Sequence, residues 1–570
     1  MAQVTGSPKS RKDSDVHRSV ADGGIWWWAF FVLMIILVFV CGCYCLVNGD
    51  IWWHLRAGEY ILESSSIPDT NLFTYTNPDT AWIDLHWLFQ IVVAVIYKGF
   101  GTTGLIAFKS IVGASVFALV FLTSRQRLPG ILLAICWLPF VWIYAGRYHV
   151  RPEMLSHLYL AFTLYCLHRH SAGHRTWIWC LIPLQIAWVN TQGLFILEHC
   201  VLGAYAISVQ CKRENWHRIH AIWRVLILFS AASFINPYGI DGALFPLELL
   251  AKVGGEHREF FQLLAGETQG MGEFISTYGL DGIVRSSTPR WIFMTAPLCL
   301  AVLVWSSIKG RELWIFRWLL VLGFGYLAWN MNRNASLYAI VWGFVLSGVL
   351  GDEFLHYARS NTFAARNIFS LQGFLSGLIF VFIGLSVLST TSDIINQREI
   401  SGMHYPVRTA GFGEHSWYNH EAARFVSDLP EIENVYVHYN GTGLAGLVIY
   451  HGYKPGVDIS KRVFADARLE ANTVEVLVDF LAVIGEPDQS VESMESVLKN
   501  YSESLPALVF KNSDLMVRRK LLDGLISSSE WRSVYLSSEP SLADGVTVLV
   551  PDKVVRRNSL EIVPIGILRR

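Results

Sequence analysis

The stretch "NGDIWWHLRAGEYI", residues 48–61, follows directly on an uninterrupted apolar run that begins at Ile25. About 20 consecutive apolar residues cross a bilayer as a helix. The chain therefore sets an acid, two tryptophans, a histidine and an arginine at the point where it leaves lipid. Asp50 can serve there as a proton acceptor or metal ligand, and an Asp ahead of a helical run is also a favoured N-cap. Trp52 and Trp53 suit a membrane border. His54 and Arg56 fit the polar face of an interfacial helix as well as a substrate contact.

The composition fixes the class. Hydrophobic residues make up 52% of the chain, aromatic residues 14% and charged residues 16%, against about 25% charged in soluble domains. This is an integral membrane protein. The opening residues 1–24 form a polar basic tail carrying Lys9, Arg11, Lys12 and Arg18, read as cytoplasmic and disordered. The apolar run after it exceeds the about 7–15 residues of a secretory signal core, so it reads as a retained helix. A net charge of −1 leaves no footprint for nucleic acid. The nine cysteines offer neither a disulfide framework nor zinc spacing.

Apolar runs that span, or nearly span, lie at 25–47, 103–124, 129–146, 153–168, 177–190, 193–210, 219–235, 291–308, 313–330, 335–350 and 371–391. A further stretch, "HWLFQIVVAVIYKGF" at 86–100, is either a span or an interfacial helix. If it lies on the surface, the loops bearing Arg125/Arg127, Arg169/Arg175, Lys212/Arg213/Arg218, Lys309/Arg311/Arg317 and Arg359/Arg366 share a side with the basic N-terminus. That is the positive-inside pattern. The expectation is an α-helical polytopic protein of about 11 spans in the inner (plasma) membrane. Its spanning domain is 25–391, with external loops 48–102 and 236–290.

Residues 392–570 form a periplasmic or extracellular soluble domain. There "NVYVHY", "ALVF" and "GVTVLV" read as strands, while "HEAARFVSDL", "VEVLVDFLAVI" and "DLMVRRKLLDGLI" carry helical periodicity. Strand and helix alternate, which indicates a small α/β domain.

Under this topology the polar residues at apolar borders gather on the outer side: Asp50, His54, Arg56, Glu59, Asp84, His86, Arg147, Arg151, Glu153, Asn190, Gln192, Asn236, Asn332 and Arg333. Polar groups near membrane depth are costly and generally face a cavity or a partner. Asn190 and Gln192, at a break between spans, serve equally to satisfy exposed backbone groups. Arg147, Arg151 and Glu153 suit phosphate binding or a structural ion pair. Arg333 suits phosphate or a lipid headgroup. In "VFADARLE", Asp466, Arg468 and Glu470 alternate along a strand-like stretch and read as a domain-stabilising charge network, with acceptor binding the alternative. The sequons at Asn334, Asn440 and Asn500 matter only where glycosylation machinery exists. The "NGTGLAG" of 440–446 lacks the Lys-Ser/Thr of a phosphate loop and reads as a turn.

A leading span, an acid-bearing external loop, an Arg-rich and acidic second external loop and a soluble C-terminal domain together resemble the C-type (GT-C) membrane glycosyltransferases. That superfamily includes oligosaccharyltransferases, protein O-mannosyltransferases and lipid A aminoarabinose transferases. More closely, "DIWWHLRAGEYI", "RPEMLSHLYL", "WVNTQGLFIL", "NPYG" and "VFADARLE" resemble a set of uncharacterised bacterial multispanning proteins of this type.

The resemblance implies transfer of a sugar from a polyprenyl-phosphate donor to a glycan, lipid or protein acceptor on the external face. Asp50 matches the first-loop acid used as base or metal ligand. "RYHVRPE" stands where oligosaccharyltransferases carry a second acidic motif; Glu153 is retained there and the paired acids are not. Asp50, His86 and Glu153 are thus the catalytic candidates. His54, Arg56, Arg147, Arg151, Asn190, Gln192 and Arg333 are the substrate- and phosphate-binding candidates. An Mg2+ or Mn2+ ion on Asp50 and Glu153 is the metal such a site would take. The rival readings are a non-catalytic membrane scaffold and a lipid or substrate transporter.

Overall fold

A computed structural model describes residues 24–211, 216–255, 258, 260–261, 268–309, 314–360, 362–400, 408–438, 443–453, 460–468, 470–485, 489–538 and 541–569. The basic tail, most of "REFFQLLAGE" and the Asn440 sequon lie outside the described residues. The chain packs as two compact units, Met1–Leu46 with Thr102–Gly413 and Val47–Gly101 with Glu414–Arg570. This differs from the division read in the sequence: 47–101 groups with the C-terminal α/β elements, and 392–413 with the helices.

In the first unit each apolar run is helical over most of its length, the first helix ending at Gly42. Its principal helices are Gly24–Gly42, Gly130–Ala145, Glu153–Ser171, Leu181–Val189, Ile196–Cys211, Trp216–Ala232, Ser287–Ile308, Trp314–Asn330, Ala335–Ser360 and Thr362–Ile395. To these is added the part of Trp87–Leu122 beyond Gly101. Among the described residues six helices are long and apolar enough to cross a membrane, and Gly130–Ala145, Ile219–Ala232 and Ile315–Asn330 are shorter apolar ones. In the spans Ser287–Ile308 and Leu375–Ile395, only 22% and 6% of the apolar window is buried. Leu378, Val381, Phe382, Leu385 and Leu388 are exposed. An apolar exterior on closed backbone hydrogen bonding is what lipid demands.

Charge marks the two ends of this helical unit. Arg127 Nη1 and Arg317 Nη2 lie 3.1 and 2.5 Å from the two oxygens of Asp352. The loops of Arg127 and Arg317 therefore share an end with the later turns of Ala335–Ser360. Arg333, just before that helix, stands at the opposite end with Arg147 and Glu153. That matches the alternation expected from the basic loops.

The helix Trp87–Leu122 is interrupted at Gly101, whose φ of 60° and ψ of −155° are non-helical. A side chain there would be strained, and glycine is not. The break separates the 87–100 piece from the 102–122 piece, as the distinction between 86–100 and 103–124 requires.

The second unit is built on a five-stranded sheet. Its strands are β1 (Asn434–Val437), β2 (Arg462–Val463), β3 (Ala507–Lys511), β4 (Trp531–Leu536) and β5 (Val546–Pro551), in the order β2-β1-β3-β5-β4. β1 is parallel to β2 and β3, and β5 is antiparallel to β3 and β4. Parallel neighbours need crossovers. The helix Leu444–His451 carries the chain from β1 to β2, and Val474–Ile484 and Val491–Lys499 carry it to β3. Asn419, Thr473 and Ser490 cap helices by accepting from the backbone N–H three residues on. The three strands and three helical stretches expected from the sequence are present. In "VFADARLE" the strand ends at Val463, so Asp466 and Arg468 lie in a loop.

Residues 70–76 run along the edge of β2. Val463 N donates to Phe73 O at 2.9 Å and Tyr75 N to Val463 O at 3.1 Å. Covering an edge strand removes its open hydrogen-bonding groups.

The helix Asp50–Ser64 packs on Leu444–His451. Gly49 and Gly443 touch backbone to backbone, where a Cβ on either would lie 2.1 Å from the other's Cα. Trp52 is fully buried against Tyr97, Tyr418, His420 and Tyr450. Trp53 and His54 are buried too. The helix is an interior element of the α/β unit, which corrects its reading as an interfacial helix with border-anchoring tryptophans. A Trp beside a span is ambiguous in sequence because an α/β core and a headgroup layer recruit the same ring.

Candidate functional site

In the helical unit, Gly130–Ala145 ends at a loop, and Glu153 opens the next helix, Glu153–Ser171. An acid in a first turn is favoured by the helix dipole. Arg147 reaches across the loop as a fork, Nε donating to Glu153 Oε1 at 2.9 Å and Nη2 to Oε2 at 3.3 Å. Arg333 Nη2 stands 3.8 Å from the same Oε2, and Arg151 adds to the positive field there. Glu153 is thus a buried carboxylate shared by two guanidinium groups, of which Arg333 is the more open to solvent.

The same end holds charges that the sequence reading did not single out. Arg408, buried, donates from Nη1 to Ala145 O at 2.8 Å and from Nη2 to Gly146 O at 2.5 Å. Lys109 Nζ donates to Tyr44 O at 3.3 Å and sits 3.5 Å from that residue's ring centroid. Arg408 follows the last helix in a short two-stranded ribbon, Glu399–Ile400 with Arg408–Thr409. Nothing in its sequence neighbourhood marks it. Lys109 carries a legible signal, as a lone lysine inside an apolar run.

Asn190 and Gln192 are occupied by backbone. Asn190 Nδ2 donates to Ile186 O at 2.7 Å and Ile235 O at 2.8 Å. Gln192 accepts from Leu194 N and from Ser156 Oγ. Both fit the second of their two readings, as residues that satisfy the chain at a helix break.

In the α/β unit, Asp50 lies in the first turn of Asp50–Ser64 and the N-cap is Gly49, so Asp50 is not the cap. Its amide donates to Asn48 Oδ1 at 3.3 Å. Arg56 is committed within its own helix and to a neighbour: Nη1 lies 2.7 Å from Glu59, Nη2 lies 3.5 Å from Glu63, and the guanidinium stacks 3.1 Å from the Tyr453 ring centroid.

His54 and His86 meet edge to face with ring centroids 5.7 Å apart. His86 Nδ1 is 3.8 Å from both Asp84 and Glu470. Asp84 is fully buried, and its Oδ1 accepts from His86 N at 3.1 Å and Gln90 Nε2 at 2.9 Å. Burial, with the Glu470 charge second, pushes the Asp84 carboxyl up to about 7. Glu470, whose sequence reading was as part of a charge network, thereby joins the His86 cluster. Arg468 and Asp466 form the expected network as a buried fork: Nε and Nη2 lie 2.9 and 2.6 Å from Oδ2. Arg468 Nη2 also donates to Asn71 Oδ1 at 2.7 Å, beneath the ring of Trp82.

Among the described residues, no group of three or more His, Cys, Asp or Glu side chains stands close enough to hold a metal ion. Glu153, one of the two carboxylates expected to do so, already carries Arg147 and Arg333. Two guanidinium groups repel a dication from that carboxylate. Held in this way, Glu153 does not fit the expected Mg2+ or Mn2+ site.

No protein-family model and no curated protein matches this sequence. Solved structures do. The archaeal oligosaccharyltransferase AglB from Archaeoglobus fulgidus, in complex with an inhibitory peptide and a dolichol-phosphate, superposes with a TM-score of 0.53 at 12% identity, covering 90% of this chain and 73% of that one. The oligosaccharyltransferase of the same organism in complex with Zn and sulfate gives 0.50 at 12% identity, over 92% and 75%. ArnT from Cupriavidus metallidurans bound to undecaprenyl phosphate gives 0.49 at 12% identity, over 92% and 98%. The likeness to the archaeal enzyme establishes the fold: this is a polytopic membrane protein of GT-C-like architecture with a C-terminal α/β region.

Proposed function

We propose that the protein is a membrane glycosyltransferase that moves a sugar from a polyprenyl-phosphate donor to a hydroxyl- or amide-bearing acceptor. The observation that carries this reading is the Arg147–Glu153–Arg333 ion cluster at one end of a GT-C-like helical unit. A polyprenyl carrier needs an apolar surface for its chain and cations for its phosphate, and that unit has both.

In the proposed reaction the acceptor heteroatom attacks the anomeric carbon. The bond from that carbon to the phosphate oxygen breaks, and the electron pair departs on the phosphate. Configuration at the carbon inverts. Arg147, Arg151 and Arg333 hold the phosphate and stabilise its growing charge; planar guanidinium forks suit such oxygens. Asp50 is kept as the group that takes the acceptor's proton, the ordinary part of a carboxylate in such a displacement.

Glu153 receives a narrower role than the sequence suggested. Held by two arginines, it sets their geometry and does not itself move a proton. His86, beside Asp84 and Glu470, is kept as a proton-handling group, with His54 next to it. The reading places the reaction on the external face of the inner membrane, with the N-terminus cytoplasmic.

The test is binding. Purified protein in detergent or nanodiscs is titrated with polyprenyl phosphate, and thermal stabilisation is read for wild type, Arg147→Ala and Arg333→Ala. Saturable stabilisation of wild type, weakened in both variants and absent with the polyprenol lacking phosphate, supports the reading. Equal stabilisation by polyprenol and by its phosphate contradicts it.

A further inference from the structure

Arg408 lies far from Arg147 in sequence, yet it holds the backbone immediately before it. Its two terminal nitrogens donate to the carbonyls of Ala145 and Gly146, the last acceptors of a helix whose own turns leave them open. Arg147 is the next residue. A cation at a helix C-terminus is also favoured by the dipole.

The hydrogen bonds around it can be oriented without ambiguity. Arg408 Nη2 lies 3.3 Å from His149 Nε2, and a guanidinium only donates. His149 Nε2 is therefore an acceptor, and its ring proton sits on Nδ1. Nδ1 lies 3.3 Å from the Tyr44 hydroxyl, which accepts that proton and donates its own to Tyr148 O. The ring must stay neutral for this chain to close. It does, because burial and the nearby charges of Arg408, Arg151, Arg147 and Lys109 hold His149 well below its ordinary range.

The ends of the chain come from separate segments. Tyr44 follows the first helix and bridges to Ala410, and Cys45 N donates to Thr409 O at 2.9 Å. The Tyr44 ring in turn lies 4.9 Å beneath the Arg408 guanidinium. The loop that bears Arg147 and Arg151 is thus fastened at Ala145, Gly146, Tyr148 and His149 by two strands of chain that themselves pair.

We propose that Arg408, His149 and Tyr44 form a clamp that positions Arg147 and Arg151 for the donor phosphate. This rests on the transferase reading for its catalytic consequence and on the geometry alone for its structural one. Arg408 is a positioning residue here: its fork is spent on carbonyls and on the imidazole.

Two readouts separate the two claims. The first is hydrogen exchange of the 146–151 amides in intact protein, which needs no activity. Arg408→Gln is expected to speed exchange there while leaving the 507–511 strand unchanged. His149→Leu is expected to do the same, and His149→Gln, whose side-chain oxygen replaces Nε2 as acceptor, to restore protection. Unchanged exchange in Arg408→Gln and His149→Leu overturns the clamp.

The second is a double-mutant cycle on sugar transfer. Arg408→Gln is expected to lower kcat/KM by about a hundredfold in the wild-type background, as a displacement of about 1 Å can. In Arg147→Ala the same change is expected to cost less than about twofold, because coupled residues are not additive. Full additivity overturns positioning and leaves only a structural contribution. If exchange responds as expected while wild type transfers no sugar from any donor, the clamp stands and the transferase reading falls. Arg408→Lys serves as the milder variant should Arg408→Gln fail to fold.

Discussion

Arg147 grips Glu153 with two bonds, at 2.9 and 3.3 Å, while Arg333 approaches the same carboxylate to 3.8 Å. One acid thereby holds two guanidinium groups that come from different helix ends. In the proposed reaction that pairing makes Glu153 an anchor for the two cations and not the base.

Glu153→Gln tests that role. The amide keeps one acceptor but loses the charge, so Arg147 and Arg333 should lose their common anchor. Transfer should fall by about 10–100-fold, chiefly through the donor KM, since charge-assisted hydrogen bonds are worth about 1.5–3 kcal/mol. Steady-state kinetics with varied donor measure this. A fall in kcat alone, with an unchanged donor KM, would point to a chemical role for Glu153.

Asp50→Asn separates catalysis from folding. Asp50 sits in a first turn whose cap is Gly49, so the helix-dipole share of the lost charge is about 0.3–1 kcal/mol of stability. Loss of a general base should cost about 10²–10⁴ in kcat. Thermal unfolding and turnover are read on the same preparation. Comparable turnover in the variant removes Asp50 from the chemistry.

Asp84 predicts a pH dependence of stability. Its folded-state value, pushed up to about 7, lies above that of an unfolded Asp at about 3.9. A carboxyl raised on folding favours the folded form most at low pH, and that contribution is lost as pH climbs from about 4 through about 7. Asp84→Asn keeps an oxygen for the His86 amide and Gln90 and removes the buried charge. The variant should therefore melt higher than wild type at about pH 8 and close to it at about pH 4. Parallel melting curves across that range would refute the assignment.

Arg468→Ala should destabilise the α/β unit by about 3–5 kcal/mol, because Asp466 would stay buried without its partner. The pair's side chains are 0% and 1% exposed. Replacing both by apolar residues of similar volume, as in Arg468→Met with Asp466→Leu, should recover much of the loss. Chemical denaturation followed by tryptophan fluorescence gives both numbers.

The helical unit was legible because lipid enforces a simple rule: long apolar runs become helices, and basic loops fall at one end. The strands around Val435, Leu508 and Val548 were legible as short β-rich runs. The membership of residues 48–101 was not. The helix of Trp52 and Trp53 borders a span in sequence, but its partners Tyr418, His420 and Tyr450 lie far along the chain, and no local pattern announces them.

The candidate site divides the same way. Arg147, Glu153 and Arg333 stood out as charges beside apolar runs, and the structure joins them. Arg408 carries no local signal and gains meaning only from tertiary contact, and Glu470, read as one of a charge network, gains its His86 partner in the same way. Asn190 and Gln192 stood out for the same reason as Arg147, and both bond the chain at a helix break, since a helix break and a binding site both call for amides.

Radiolabelled polyprenyl-phosphate sugars offered to the protein in proteoliposomes test the central claim most directly. The prediction is passage of the sugar to a supplied hydroxyl- or amide-bearing acceptor, or to water, with release of one equivalent of polyprenyl phosphate by wild type, and a fall of about 10²–10³ in Arg147→Ala. Wild-type rates in Arg147→Ala, or no turnover of any such donor by wild type, would contradict it.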